Sequence, residues 1–207
     1  MSSGKKHAEL LTLCENEAWD EVIAKLKAGK VPSKQLAFAN DEGLRVLHLA
    51  CLEERLDVVE LLVQAGADPW ASDNEGTNCL HIAATLSSPP MLKLLLEAPQ
   101  KKGSKANVDA TDQQGSTPLH LAVEPADETD AQAAAECAEL LLKAGASISA
   151  QNAAGKTASD LAILAEVRSV VDAAKKGASR RGKRPTDPAT PDKKSGGGEE
   201  ELSLIHI

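Results

Sequence analysis

Large aromatic side chains are nearly absent from this sequence: its 207 residues include one phenylalanine, two tryptophans and no tyrosine. A core must therefore be built from leucine, valine and alanine, which suits thin layers of helices better than one wide globular core. The sequence also lacks any run of about 18 apolar residues, and no hydrophobic stretch follows its polar start. We therefore expect an intracellular, soluble protein with neither a membrane helix nor a secretory signal.

Cysteine is scarce as well. The four cysteines are Cys14, Cys51, Cys79 and Cys137, and no two of them have the Cys-x-x-Cys spacing of zinc and redox sites. Three of them fall within predicted helices, at positions that a small apolar side chain would fill. We therefore interpret them as packing thiols and predict neither a bound metal nor a cofactor.

A recurring eight-residue phrase is the strongest signal that the sequence does contain. Each copy begins with glycine and ends with alanine, and the first three carry a leucine-histidine pair before their last two residues. The copies are Gly43-Leu-Arg-Val-Leu-His-Leu-Ala50, Gly76-Thr-Asn-Cys-Leu-His-Ile-Ala83, Gly115-Ser-Thr-Pro-Leu-His-Leu-Ala122 and Gly155-Lys-Thr-Ala-Ser-Asp-Leu-Ala162. Their glycines are 33, 39 and 40 residues apart. A repeat of this length predicts stacked helical units.

The phrase resembles the ankyrin repeat, most fully at Thr117-Pro-Leu-His120. The resemblance implies an all-α solenoid of helix-turn-helix units with β-hairpin-like fingers. Two insertions explain the uneven spacing, because residues 99–105 add six positions to one unit and residues 124–130 add seven to the next. Loops take up both insertions, so the stacked helices stay in register.

Each phrase makes physical sense as a turn followed by a short helix. Asp73 and Asp112 stand three residues before a glycine, so their side chains can bond nearby backbone amides while glycine accepts a positive φ. Thr117 is a good N-cap, and Pro118 fits the first helical position. A second helix with a Val-Val-x-Leu-Leu pattern follows, and a glycine such as Gly66 ends it.

We count five units over residues 5–176. Their approximate bounds are 5–40, 41–73, 74–112, 113–152 and 153–176. We interpret the first and last units as caps, because the first has lost the phrase and the last carries Ser159 and Asp160 in place of leucine and histidine. A charged helix from Glu166 to Lys176 ends the array, as expected of a terminal repeat that faces water on one side.

Three histidines, His48, His81 and His120, occupy the same slot of successive phrases. A metal-binding or general-base role would need partners, and no neighbouring serine, cysteine or carboxylate pair completes a catalytic constellation. Stacking explains a histidine that recurs at the repeat period. The resemblance implies that these side chains make structural hydrogen bonds between repeats, within a framework that includes Thr117 and Pro118. We therefore predict no enzymatic activity.

In ankyrin repeats the fingers and first helices form a groove that binds another protein, so the resemblance implies a scaffold or adaptor. The predicted contact residues are Arg45, Trp70, Asn74, Glu75, Asn78, Gln113, Gln114 and Ser116. Trp70 takes a finger position that is usually polar. Either its ring is exposed and forms a hot spot, or it folds back onto Phe38 or the next finger. Residues 101–105 are a second candidate contact, with a solvated charged loop as the alternative.

Charge is unevenly distributed along the chain. Residues 175–201 contain eight basic and five acidic side chains, a net +3, so the total of −8 leaves −11 on residues 1–174. An acidic repeat domain favours a partner with a basic surface and disfavours nonspecific binding to nucleic acid. We therefore expect a monomer that binds protein, with no nucleic acid and no membrane among its partners.

Residues 177–201 are rich in Gly, Pro, Ser, Lys and Glu and contain no apolar side chain larger than alanine, which predicts a disordered tail or linker. A basic cluster overlaps its start, with the members Lys175, Lys176, Arg180, Arg181, Lys183 and Arg184. This cluster resembles a bipartite nuclear-import signal, although short basic runs are also common in solvated tails. We expect a cytoplasmic protein, and a nuclear one if the signal works.

The last six residues, 202–207, are abruptly apolar: Leu-Ser-Leu-Ile-His-Ile. One reverse translation of them matches the end of a transposase adapter used in sequencing libraries, so we interpret them as adapter read-through. A genuine hydrophobic docking motif is the alternative. On the first interpretation the natural chain continues past Glu201, and the repeats could then be the N-terminal targeting domain of a larger enzyme or channel.

Overall fold

A computed structural model describes residues 9–29, 31–98, 107–124 and 130–181 of the chain. Within these ranges the backbone forms eleven helices and no β-strand. The helices are α1 (Glu9–Glu15), α2 (Trp19–Lys27), α3 (Ser33–Leu36), α4 (Val46–Leu52), α5 (Leu56–Gln64), α6 (Cys79–Thr85), α7 (Pro89–Leu96), α8 (Pro118–Ala122), α9 (Ala131–Lys143), α10 (Ala158–Leu161) and α11 (Ala165–Arg181). This architecture confirms the predicted all-α repeat stack.

Ten of these helices form five pairs, and the pairs stack in two layers. One layer holds the first helix of each pair, and its members contact one another in the order α1, α4, α6, α8, α10. The other layer holds the second helices, which contact in the order α2, α5, α7, α9, α11. Each unit therefore completes its core only against its neighbours, as in other solenoids.

The two layers use different side chains for the shared core. In the first layer, Ala50, Ala83 and Ala122 are fully buried, and their small side chains let neighbouring helices approach closely. In the second layer, leucines such as Leu62 and Leu95 are fully buried. Each such leucine contributes roughly 1.5–3 kcal/mol through the apolar surface that it removes from water. Leucine, valine and alanine therefore make up most of the core, as the composition predicted, and the buried Trp19 of α2 adds an aromatic ring to it.

The second helices end as their glycines predicted. Gly66 follows α5 with φ +88°, a left-handed conformation that costs glycine nothing. The Gly66 N–H donates to the carbonyl of Val63 and the Ala67 N–H to that of Leu62, at 3.0 and 2.9 Å. These bonds satisfy carbonyls at the end of the helix that have no partner within it.

The helices differ from expectation in two places. The one-turn helix α3, Ser33–Leu36, was not predicted from the sequence. Helix α11 runs to Arg181, five residues beyond Lys176 and into the segment predicted as a tail. Extending an existing helix costs little when most of the added residues are good helix formers. The predicted insertion loop at 99–105 and most of that at 124–130 lie outside the described residues.

Candidate functional site

Four turns of one design project from the stack, and we call them the finger turns. They are turn 1 (Asn40–Gly43), turn 2 (Asp73–Gly76), turn 3 (Asp112–Gly115) and turn 4 (Asn152–Gly155). In turn 2, one side-chain oxygen of Asp73 accepts the N–H groups of Glu75 and Thr77 at 2.9 and 2.8 Å. The first residue of each other turn does the same at the equivalent positions. These local bonds fix the shape of every turn.

Neighbouring finger turns are hydrogen bonded to one another along the stack. The N–H of Asn74 donates to the Glu42 carbonyl at 3.1 Å, and that of Gln113 donates to the Glu75 carbonyl at 2.8 Å. The Asn74 side chain also donates to the Asp41 carbonyl, and the Gln113 side chain to the Asn74 carbonyl, at 2.8 and 3.2 Å. The turns therefore form one ordered row, and two predicted contact residues help to hold it together.

The three motif histidines link each unit to the next. Their Nδ1 atoms accept backbone N–H groups three residues earlier, at 3.1–3.2 Å. Their Nε2 atoms lie 3.0–3.2 Å from carbonyl oxygens of the following finger: Ala71 for His48, Ser116 for His81, and Ala150 and Lys156 for His120. A backbone N–H can only donate and a carbonyl can only accept, so these contacts favour the tautomer with its proton on Nε2. In His81, Nδ1 also lies 2.9 Å from the Asn78 side-chain oxygen.

This arrangement leaves the histidines little capacity for chemistry. Burial lowers the pKa of His48 and of His81 below the ordinary histidine value, so both stay neutral at physiological pH. Both ring nitrogens are occupied by backbone groups. Across the described part of the chain, no three histidine, cysteine or acidic side chains are grouped so that they could hold a metal ion.

The motif residues around His120 begin helix α8. Thr117 is its N-cap residue, and Pro118 is its first residue. The Thr117 hydroxyl lies 2.8 Å from His120 Nδ1 and donates to it, since that nitrogen carries no proton. Both Thr117 and His120 are 1% exposed. Proline at this position leaves no amide without a partner.

The predicted contact residues are not equally placed to meet a partner. Four of them are exposed on the finger turns: Asn74, Glu75, Gln113 and Gln114. Asn78 and Ser116 are buried, which differs from our expectation. The Asn78 side-chain oxygen caps α6 by accepting the N–H groups of Leu80 and His81 at 3.0 and 3.2 Å. These two residues therefore support the row of turns from within.

Arg45 and Trp70 lie between these extremes, and both are half-buried. The Arg45 guanidinium donates to the Ser72 carbonyl at 3.1 Å, which ties the start of α4 to the following finger. The Trp70 ring packs against the core, and its indole N–H is buried without a hydrogen-bond partner among the described residues. The ring is therefore neither fully exposed nor fully buried, and its role as a hot spot stays a prediction.

A cleft of about 590 Å³ lies between the tips of the first finger turns. Its lining residues are Asp41, Glu42, Leu44, Asp73, Asn74, Glu75 and Gln113. Four of these are acidic and none is basic. None of the ion pairs formed among the described residues includes these carboxylates. We did not predict Asp41 and Glu42 as contact residues from the sequence, although they occupy the positions in turn 1 that Asn74 and Glu75 occupy in turn 2.

The basic cluster lies at the other end of the stack. Lys175 and Lys176 are exposed on α11, and the backbone of Arg180 and Arg181 belongs to the last turn of that helix. The remaining two predicted members, 183 and 184, lie outside the described residues, as do the candidate contact loop at 101–105 and the final segment 202–207. No helix in the described ranges has both the length and the apolar character needed to cross a membrane.

Comparison with known proteins places this geometry in context. A family model described as ankyrin repeats, in three copies, matches residues 47–152. The chain is 35% identical over 121 residues to the mouse B-cell lymphoma 3 protein homolog, covering 58% of this chain and 25% of that protein. It is 32% identical over 146 residues to mouse NF-kappa-B inhibitor delta, covering 64% of this chain and 43% of that protein.

A third relative differs in kind from the first two. The chain is 31% identical over 130 residues to the tyrosine-protein kinase HTK16 of Hydra vulgaris, covering 63% of this chain and 16% of the kinase. The chain thus spans less than half the length of each of these three relatives.

Proposed function

The chain belongs to the ankyrin-repeat family, and we propose that it is a scaffold or adaptor that binds a partner protein along its finger turns and first helices. The observation that carries this proposal is the ordered row of turns, which presents exposed polar side chains on a backbone held by hydrogen bonds. A surface that is already ordered loses little conformational entropy on binding. The absence of a catalytic constellation among the sequence motifs supports a binding role.

We propose further that the partner offers a basic surface. The cleft at turns 1 and 2 has four acidic side chains, and the array as a whole carries a charge of −11 over residues 1–174. Unpaired carboxylates at exposed tips attract lysine and arginine and speed the encounter with a basic partner. The relative named as an inhibitor of NF-kappa-B supports protein binding by a repeat array of this kind.

The acidic residues are unevenly distributed along the row of finger turns. Turns 1 and 2 each carry two acidic residues, turn 3 carries only Asp112, and turn 4 carries none. The carboxylates of Asp73 and Asp112 are both engaged with backbone amides of their own turns. Asp41, Glu42 and Glu75 therefore supply the acidic side chains at the tips of turns 1 and 2. A bound partner would therefore place its basic residues on turns 1 and 2 and its uncharged polar residues on turns 3 and 4.

Peptide arrays provide the test. The probes are peptides that contain lysine and arginine, each paired with a version in which glutamine replaces every basic residue. The triple variant Asp41→Asn, Glu42→Gln, Glu75→Gln removes charge from the cleft. The matched control Glu53→Gln, Glu97→Gln, Glu136→Gln removes the same charge from exposed positions outside the finger turns.

We expect wild type and control to bind the basic peptides and the cleft variant to bind them about tenfold more weakly, at roughly 0.5 kcal/mol for each exposed charge. The difference should shrink as salt rises, because salt screens exposed charges. Equal binding by the cleft variant and the control would show that the cleft does not select the partner.

A second candidate function is favoured by the coverage of the relatives. The kinase relative is matched over only 16% of its length, so arrays like this one also occur within multidomain enzymes. On this alternative the repeats are the N-terminal targeting domain of a larger enzyme or channel. A full-length transcript read across the codon for Leu202 decides between the two. A stop soon after Glu201 favours the adaptor, and a continuing frame that encodes another domain favours the targeting role.

We also propose that the basic cluster directs nuclear import of an otherwise cytoplasmic protein. The exposure of Lys175 and Lys176 on α11 supports this role. The test compares the cellular distribution of the full chain, fused to a fluorescent protein, with that of a Lys183→Ala, Arg184→Ala variant. Loss of nuclear signal in the variant is expected, and an unchanged distribution would leave the cluster as an ordinary solvated run.

A further inference from the structure

One basic side chain lies beside the acidic cleft. In the segments that run from turns 1, 2 and 3 to the ends of α4, α6 and α8, the only lysine or arginine is Arg45. These segments are residues 40–52, 73–85 and 112–122. Arg45 is half-buried and directly follows Leu44, which lines the cleft. The first two units therefore place a positive charge next to the site that we propose for basic residues.

The other units use the position of Arg45 for a residue that can cap a helix. The residues that precede α6, α8 and α10 in the same way are Asn78, Thr117 and Thr157. The Asn78 side chain accepts two backbone N–H groups of its helix. A guanidinium has only donors, so Arg45 accepts none and α4 lacks a side-chain cap. Arginine here breaks a local rule that stabilises helices, as residues at functional sites often do.

Much of the hydrogen-bonding capacity of Arg45 is not used within the described part of the chain. Its guanidinium has five N–H donors, and one nitrogen donates to the Ser72 carbonyl at 3.1 Å. None of the ion pairs among the described residues includes Arg45. The other two nitrogens are not among the buried atoms that lack a partner, so they remain accessible. The bond to Ser72 thus holds the side chain in place and leaves donors for a ligand.

A small cavity of about 120 Å³ lies against Arg45. Its other lining residues are Leu36, Ala37, Asp68 and Ala71. The volume is about four times that of a water molecule in the liquid, which suits a group as small as a carboxylate. Asp68 does not pair with Arg45, and its side-chain oxygen accepts the Trp70 N–H at 3.1 Å. The arginine is therefore the group in this cavity with free capacity to bind an anion.

We propose that Arg45 binds a side-chain carboxylate of the partner, so that the partner segment carries an aspartate or glutamate beside the basic residues held by the cleft. This inference rests on the proposed function and names the charge pattern that the first two units select. An arginine can bind a carboxylate through two parallel hydrogen bonds, which fixes its position as well as its charge. A site that reads both signs discriminates against partners that are only basic.

The geometry also gives the order of the two contacts. Arg45 leads from turn 1 into α4, and the carbonyl that it contacts belongs to Ser72, which directly precedes turn 2. Both segments run inward from the tips of the turns that line the cleft. The acidic residue of the partner would therefore lie closer to the first helices than its basic residues do.

Binding assays with the full chain and short peptides provide the test. The peptides are acetylated and amidated at their ends, and each has a central Lys-Arg pair and one glutamate, which moves through the remaining uncharged positions. All peptides share one composition and one net charge, so differences in affinity report the position of the carboxylate. We expect glutamate at one position, on one side of the pair, to give about fivefold tighter binding than glutamate elsewhere.

Variants at Arg45 separate recognition from structure. Arg45→Asn copies Asn78 of the next unit and can cap α4, so it should fold and lose the preference for that position. Arg45→Glu should reverse the preference, so that a peptide with lysine in place of the glutamate binds most tightly. The matched control Lys93→Gln removes one positive charge from an exposed position on α7 and should keep the wild-type preference.

Two results would overturn the assignment of Arg45 and leave the proposed function standing. They are tight binding of every basic peptide by wild type without regard to the glutamate position, and an unchanged preference in both Arg45 variants. If wild type binds no basic peptide at all, the proposed basic partner and the role of Arg45 both fail.

Discussion

The internal units and the last unit have the same finger turn but differ at the motif position of the helix that follows it. In an internal unit the motif histidine reaches forward, as His81 does to the Ser116 carbonyl at 3.2 Å. In the last unit Asp160 holds that position and turns back, accepting the N–H and hydroxyl of Thr157 at 2.9 and 2.7 Å. The histidine side chain thus joins two units, whereas the shorter aspartate only caps its own helix. The residue at this position therefore decides whether its side chain adds a bond to the following unit.

The same difference appears three residues later. Cys51, Ala84 and Val123 occupy equivalent positions after the motif histidines and are all fully buried. Ile163 holds this position in the last unit and is 74% exposed. Helix α10 has already ended at Leu161 there, so the chain carries Ile163 away from the layer of first helices. Val123 directly follows α8 but keeps helical backbone angles, whereas Ala162 after α10 has ψ 86°. An apolar residue at this position is therefore buried where the backbone stays helical up to it.

Among these tests, removing a motif histidine that bonds to the following unit should lower the free energy of unfolding most. His81→Ala leaves the Asn78 N–H without a partner in a buried site and removes one of the two bonds that the Ser116 carbonyl accepts, the other coming from the Asp112 N–H. We expect a loss of about 3 kcal/mol in the free energy of unfolding. Asp160→Ala removes only a local cap and should cost about 1 kcal/mol. Urea unfolding of both variants measures the contrast. Equal losses would mean that the forward bond adds nothing beyond capping.

The turn glycines provide a second test of the difference between an internal unit and the last unit. Gly115 and Gly155 both have positive φ, +70° and +73°. A Cβ on Gly115 would lie 2.8 Å from the backbone nitrogen of Ala153 in turn 4, whereas one on Gly155 would meet open space. We expect Gly155→Ala to cost about 1–2 kcal/mol through the left-handed backbone alone. Gly115→Ala should cost at least about 1 kcal/mol more, because the next turn has to move. Thermal unfolding of the pair would contradict this if the two midpoints coincided.

The position three residues after the motif histidine provides a third test, since it is buried in an internal unit and exposed in the last unit. Val123→Ala should cost about 2 kcal/mol, because it removes two methyl groups from a closed core. Ile163→Ala, which deletes more apolar surface from an exposed site, should cost less than about 0.5 kcal/mol. Chemical denaturation of both variants tests this order. A larger loss at Ile163 would indicate that something covers it in solution.

Acidification should weaken the histidine links by a smaller amount. The folded-state pKa values of His48 and His81 are depressed, so the unfolded chain binds more protons below its ordinary value of about 6.5, and stability falls as pH drops. Arg45 also lowers the pKa of His48, and Asp73 opposes the shift at both rings. We expect a loss of about 1 kcal/mol between pH 7 and 6.

A His81→Gln variant provides the control for the pH series. Urea unfolding at each pH should show a shallower decline for this variant than for wild type, because one titrating group is gone. The same slope in both proteins would assign the pH dependence to groups other than the motif histidines.

Much of the fold followed from local signals in the sequence. The glycine and the acidic or amide residue of each turn, the N-cap Thr117 and the glycine after α5 act within a few residues of themselves. Patterns of this kind repeat visibly along the chain, so the phrase predicted the stack of units. Helix α3 carried no such pattern, and α11 passed its predicted end because nothing local except Gly177 opposed its extension.

The candidate site was less predictable, because it depends on contacts between residues that are distant in sequence. Position next to the turn made Asn78 and Ser116 look like surface residues, but both are buried. Asp41 and Glu42 precede the first phrase as Asn74 and Glu75 precede the second, so the repeat could have indicated them. Only the stacking of turn 2 beside turn 1 shows that they line a cleft.

The sequence by itself determined the repeat period, the chemistry of each turn, the helix caps and the acidic charge of the array, since all of these are properties of short segments. Only the tertiary structure decided which residues of the turns are exposed, how far Trp70 is buried and which carbonyls the motif histidines reach. Stacking brings residues more than 25 positions apart into contact, as in the bond from Arg45 to Ser72. Neighbouring units determine burial and pairing, and no single unit contains that information.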